Sequence, residues 1–280
     1  MSHSSAGGVT LPDGPFMIGA GVCKNPTATQ DWLKIAPVVS GSYTLDQRDG
    51  NVGEVMWPGL IDLVQSFGYG FNSYGMPNMG CGAASIPLAR VKSEQPLIVS
   101  FAGFSVDEYV QGVKILATLE SVSAIELNFG CPNTQGEHST IISFDPETIK
   151  TIVHRVMQLG YDVPIWIKLS PYSNPQDLER VAKVLNGFVG KGTFQIAVVT
   201  CNTFPNAFAG EGKISPNNGL SGLSGPVMKP IALGQVKQFR QHLSPLIDVI
   251  GVGGVWASDD VVDFLDAGAA AVQVLSLIHI

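Results

Sequence analysis

The sequence predicts an α/β protein built as a single (β/α)8 TIM barrel, and three observations lead there. Short apolar strands alternate with amphipathic helices from one end of the chain to the other. Eight candidate strands appear in that alternation, which suits a closed parallel barrel better than an open doubly wound sheet. No Gly-x-Gly-x-x-Gly follows the first strand, where an open nucleotide-binding sheet carries its phosphate turn; Ala20-Gly21-Val22 stands there instead. The 280 residues fit one barrel of about 250 residues, and no linker or internal repeat divides them.

The expected strands are Phe16–Ala20, Pro37–Ser40, Leu97–Ser100, Ala124–Leu127, Ile165–Lys168, Ile196–Thr200, Asp248–Gly251 and Ala271–Val274. Each is a brief apolar run between turn formers. Helices are expected near Thr29–Ile35, Cys81–Ala89, Asp107–Leu119, Pro146–Leu159, Pro175–Val189, Pro226–His242 and Ser258–Ala267. Three have plain entry signals. Ser105-Val106-Asp107-Glu108 has the capping-box pattern, while Asp145-Pro146 and Asn174-Pro175 set a capping side chain before a proline in the first turn.

Composition narrows the functional classes. The chain is 45% hydrophobic with a mean hydropathy of +0.24, enough to fill a large core. Its net charge of −7, with only 16 Lys and Arg and no basic run, argues against nucleic acid or an anionic membrane as partner. No apolar run approaches about 18 residues, the length of a membrane span. Met1–Gly8 has neither a basic start nor an apolar centre, so no signal peptide is expected. The four cysteines (Cys23, Cys81, Cys131 and Cys201) lack zinc-like spacing; no metal site is expected, and reduced thiols in the cytosol are.

In a barrel, chemistry collects where strands end and βα loops begin. The most informative such place is Asn128-Phe129-Gly130-Cys131-Pro132-Asn133. Two carboxamides flank a thiol, and each offers donors and an acceptor to a flat, polar ring. A thiol held on a bent loop serves as base or nucleophile, although a structural cysteine in an ordinary turn has the same local sequence. Lys168 ends an otherwise apolar strand, a costly place for a cation unless it meets an anion, a polar cofactor edge or solvent. Gly219–Gly225, opening the helix at Pro226, and Gly251-Val252-Gly253-Gly254 read as two glycine-rich phosphate cradles after late strands.

The segment Glu126-Leu127-Asn128-Phe129-Gly130-Cys131-Pro132-Asn133-Thr134-Gln135-Gly136 resembles the active site of class 1 dihydroorotate dehydrogenases. Ala20-Gly21-Val22, Asn72–Gly80, Lys168 and Thr200-Cys201-Asn202-Thr203 are similar to further motifs of that family, in the family's order. The resemblance implies an FMN-dependent enzyme of pyrimidine biosynthesis that oxidises dihydroorotate to orotate, with Cys131 as catalytic base. It implies that Asn72, Asn128, Asn133, Asn202 and Thr203 hold the pyrimidine. Ala20, Gly21, Asn128, Lys168, Gly222, Gly225, Gly253 and Gly254 would then lie against the flavin and its phosphate. The motif is most like class 1A, whose members are cytosolic homodimers that use fumarate as electron acceptor.

The chain departs from this pattern in two places. The family usually carries Lys-Ser-x-Thr after the second strand, its lysine beside the substrate carboxylate; here the lysine's place is taken by Gly41. Arg48 is the one nearby cation nominated to compensate. Without compensation, the alternatives are a dihydropyrimidine substrate lacking the carboxylate or a non-catalytic flavin-binding barrel. The second departure follows Ala271–Val274. Instead of Gly-Thr, a phosphate-binding loop and a last helix, the chain reads Leu275-Ser276-Leu277-Ile278-His279-Ile280, which matches one reading frame of a transposase adapter used in sequencing libraries. The expectation is a barrel domain over 1–274, lacking its last helix, and a non-native tail over 275–280.

Overall fold

A computed structural model of the chain describes residues 4–58, 68–131, 141–191 and 195–275. Its centre is a closed barrel of eight parallel strands. They are β1 (Phe16–Cys23), β2 (Val38–Tyr43), β3 (Leu97–Phe101), β4 (Val122–Asn128), β5 (Ile165–Leu169), β6 (Ile196–Thr200), β7 (Asp248–Val252) and β8 (Ala271–Val274). Each pairs with its successor, and β8 closes on β1 through Val272 opposite Phe16. Seven described helices, α1 to α7, lie between strands: Thr29–Trp32, Cys81–Leu88, Val106–Leu116, Pro146–Met157, Pro175–Asn186, Lys229–His242 and Ser258–Asp266. Among the described residues no helix follows β8.

Side-chain alternation along the strands sorts the core into two compartments. Val39, Ile98, Ala124, Trp166, Ala197, Ile250 and Ala271 point inward and fill the barrel. The intervening residues, such as Ile125, Leu127, Ile165, Ile167 and Val198, point outward and pack under the helices. The helices present matching stripes: Ile149, Ile152, Val153 and Val156 on α4, and Leu178, Val181, Ala182 and Leu185 on α5. That i, i+3, i+4, i+7 spacing is one face of a helix. The expected caps form, with Ser105, Asp145 and Asn174 each accepting a backbone N–H of the first turn.

Two additions were not expected. An antiparallel hairpin, Ser4–Ala6 with Val9–Leu11, closes the N-terminal end of the barrel. The Trp166 indole donates to the Gly7 carbonyl at 3.1 Å, and Gly7 N–H donates to the Asp248 carboxylate at 2.7 Å. At the opposite end the chain following β2 and the chain following β6 pair with each other. Their four strands run in the order Phe204–Phe208, Leu220–Ser224, Gly70–Asn72, Met56–Pro58. This corrects the glycine-rich segment 219–225, expected as a phosphate loop: Leu220–Ser224 is a strand, and Gly222 lies opposite Asn72 in the ladder.

Candidate active site

The inward-pointing residues turn from apolar to polar toward the C-terminal end of the barrel. Above Ile98, Ala124, Trp166 and Ala271 come Ser100, Glu126, Lys168 and Gln273, two positions further along the same strands. All four are buried; Lys168 is 4% exposed and Glu126 0%. Such groups are tolerated inside only when their bonds are met, and here they meet one another. The Gln273 amide donates to Glu126 at 2.6 Å, Ser100 donates to Glu126 at 2.9 Å, and Lys168 Nζ donates to the Gln273 oxygen at 3.2 Å. Lys168 Nζ also stands 3.6 Å from Glu126 Oε1.

This polar layer is the floor of a cleft of about 420 Å³. Irregularities at the strand ends aim residues into it. Pairing of β1 with β2 loses register between Ile18 and Cys23, where Ala20 and Gly21 reach the cleft wall. In β2 the register breaks again after Ser40, at Gly41 with φ +107°. The Gly41–Ser42 and Thr200–Cys201 peptides are both cis. Beyond Gly41, the Ser42 hydroxyl lies 2.8 Å from that of Ser100 and accepts the Asn128 amide at 3.0 Å. Asn128 Oδ1 in turn accepts from Asn202 at 3.1 Å and from Gly130 N–H at 3.2 Å. A single relay of hydrogen bonds therefore runs from Asn202 through Asn128, Ser42 and Ser100 to the buried Glu126.

Cys131 stands on the wall of this cleft, two residues past Phe129, whose N–H is tied to the Lys168 carbonyl at 2.9 Å. Of the four cysteines it alone is partly exposed; the others are buried. Burial pushes the Cys81 and Cys201 thiols up to about 12 and raises that of Cys23 as well. Those three are disfavoured as thiolates; Cys201 also borders the cleft but is buried, so Cys131 is the more accessible thiol there.

Most residues singled out from the sequence converge here. Ala20, Gly21, Asn72, Asn128, Cys131, Lys168, Asn202, Thr203, Gly225, Gly253 and Gly254 all line the cleft. Gly222 does not; it is buried beneath Thr203, whose hydroxyl would stand 2.2 Å from a Cβ at that position. Asn133 and residues 276–280 lie outside the described residues. Arg48 is also away from the lining, donating to the Gly75 carbonyl at 3.1 Å with its guanidinium over the Phe104 ring. Sequence reasoning missed Glu126, Gln273 and Ser42. For Glu126 and Gln273 a signal existed, since a polar residue on the inward phase of an otherwise apolar barrel strand must answer to something inside.

The cleft offers a place for a flat cofactor with a phosphate. At Gly254, with φ +76°, a Cβ would come 2.5 Å from the Lys229 backbone nitrogen at the start of α6. At Gly225, with φ +99°, it would come 2.8 Å from the Gly68 carbonyl. Bare backbone thus surrounds a helix N-terminus, an arrangement suited to an anion. Gly21, Lys168 and Gln273 supply a close backbone, a cation and an amide to a ring edge.

A parallel barrel with one accessible thiol over a floor of buried, mutually bonded polar groups has the layout of a barrel enzyme. Comparison with known proteins defines the group more closely. The family profile described as dihydroorotate dehydrogenase matches residues 4–280. Dihydroorotate dehydrogenase A (fumarate) of Limosilactobacillus reuteri is 38% identical over 270 residues, covering 93% of this chain and 82% of the relative. The fumarate enzyme of Trypanosoma brucei brucei is 32% identical over 280 residues, covering 95% and 84%. A crystal structure of DHODH from Eimeria tenella in complex with ferulenol shares the fold, with a TM-score of 0.78 at 18% identity over 97% of this chain and 78% of that one. The chain belongs to the dihydroorotate dehydrogenase family and is an oxidoreductase, and both curated relatives above carry the fumarate name.

Proposed function

We propose that this protein oxidises dihydroorotate to orotate in pyrimidine biosynthesis, with FMN as its cofactor, Cys131 as the catalytic base and fumarate as the electron acceptor. The observation that carries the reading is the accessible Cys131 thiol, facing the same cleft as Asn72, Asn128 and Asn202 in a chain of this family. When bound, FMN supplies the hydride acceptor. Gly225, Gly253 and Gly254 would hold its phosphate, and Ala20, Gly21 and Lys168 its ring system.

The protein's own part is orientation and proton removal. Asn128 and Asn202 are locked to each other and to Ser42, so their remaining polar atoms are presented in fixed directions. Cys131, as thiolate, takes the proton from the substrate carbon next to the one that gives up hydride. Lys168, on the floor, would supply positive charge to the bound ring system as negative charge develops on reduction. Substituting Cys131 by Ser tests this. A hydroxyl is a far weaker acid than a thiol, so the variant should keep a normal bound-flavin spectrum while its anaerobic reduction by dihydroorotate slows by orders of magnitude near neutral pH. Reduction at the parent rate would remove Cys131 from the mechanism. The reading includes a cytosolic homodimer; light scattering on the purified chain checks the dimer.

A further inference from the structure

Among the described residues lining the cleft, two are cations, Lys168 and Lys24. Lys168 is committed to Glu126 and Gln273 on the floor. Lys24 follows directly after β1, half-buried, and stands over the Tyr74 ring with Nζ 4.2 Å from the ring centroid. None of the ion pairs formed among the described residues includes it. Burial draws its pKa below the usual lysine range, the cost of a cation held without a counter-charge. A cation–π contact holds the ammonium in place but does not neutralise it. A cleft-lining cation in this condition is matched by an anionic ligand.

Position 41 cannot supply that charge. A Cβ on Gly41 would stand 2.6 Å from the Ser100 carbonyl oxygen and 2.9 Å from the Tyr43 nitrogen, on a backbone at φ +107° that a lysine adopts only with strain. Arg48 faces Phe104 and Gly75 instead. Asn72, Tyr74, Gly75 and Met76 line the wall shared with Lys24. We infer that the Lys24 ammonium, steadied on Tyr74, recognises the substrate carboxylate and so selects an anionic dihydropyrimidine over a neutral one.

This inference rests on the dihydroorotate reading above. The test is calorimetric titration of the FMN-loaded protein and its Lys24→Met and Lys24→Arg variants with orotate and with uracil. Flavin content and spectrum are recorded for each sample. Lys24→Met is expected to weaken orotate about ten- to a hundredfold, the range of a charge-assisted contact. Uracil affinity and flavin content should stay as in the parent, and Lys24→Arg should recover most of the orotate affinity. Unchanged orotate binding by Lys24→Met overturns the inference. So does an equal loss for orotate and uracil, or a loss of flavin, which would place the ammonium at the cofactor. A parent protein whose flavin dihydroorotate does not bleach refutes the functional reading and this inference together. A parent that bleaches normally beside an indifferent Lys24→Met variant refutes the inference alone.

Discussion

At Gly41 the backbone itself dictates the residue. Its φ of +107° and the 2.6 Å approach to the Ser100 carbonyl leave no room for a side chain, and the turn it makes precedes Ser42, the middle of the relay. Gly41→Ala is therefore expected to cost about 1–3 kcal/mol, the scale of a forced left-handed residue. Thermal melting of the flavin-loaded protein reads it, and a variant melting with the parent would show that the strand adapts freely. A second residue-scale prediction concerns the floor. Lys168→Met leaves Glu126 buried beside no cation and should destabilise by about 3–5 kcal/mol. Adding Glu126→Gln should return much of that loss. The double-mutant cycle yields a large coupling only if the two charges support each other. Neither Glu126 nor Gln273 was assigned a role in the sequence, although each is a single polar residue within an apolar strand. Their meaning depends on which face of the strand is inside, and the closed sheet settles that.

The elements were the most legible level. All eight strands lie where alternation and turn formers put them, ending at most three residues beyond their expected C-termini, as β1 and β2 do at Cys23 and Tyr43. Those extensions are the irregular stretches that reach the cleft, so period-2 patterning was bound to lose them. The four-stranded sheet at the mouth was illegible for a different reason. Its strands are three to five residues long, and the central pairing, Gly70–Asn72 with Leu220–Ser224, joins two loops distant in sequence. The α4 cap was read correctly and carries a prediction. The Thr148 hydroxyl and then the Thr148 N–H bond to the Asp145 carboxylate; against slight burial, and with help from Glu147 N–H, they hold it below the ordinary range. Asp145→Ala should cost about 1 kcal/mol. A depressed folded pKa stabilises above the unfolded value and ceases to do so as pH falls through the folded one. The difference in melting temperature between parent and variant should therefore be constant near neutrality and shrink below about pH 4. A difference that persists unchanged in strong acid would show that the carboxylate's charge is not what caps the helix.

For the whole molecule, the polarity of the barrel interior is graded along its axis, from Trp166 and the hairpin at one end to Lys168 and Glu126 at the other. The hairpin belongs to the core rather than to the surface. Leu11 is fully buried with Val9 and Ala6 against the barrel interior. Leu11→Ala should cost about 2–5 kcal/mol, with Trp166 emission shifting to the red as water gains the barrel floor. A melting temperature and emission spectrum equal to the parent's would mean that the hairpin is only a cover.

That plug has a consequence for traffic. With one end of the barrel stoppered by Trp166 and the hairpin, a ligand seated above Lys168 arrives and departs by the same doorway. On the proposed reading, dihydroorotate and the oxidant that follows it share one berth. The reduced protein must then discharge orotate before the next visitor docks. Turnover becomes a queue, and orotate held too long should delay the oxidant as well as the next dihydroorotate.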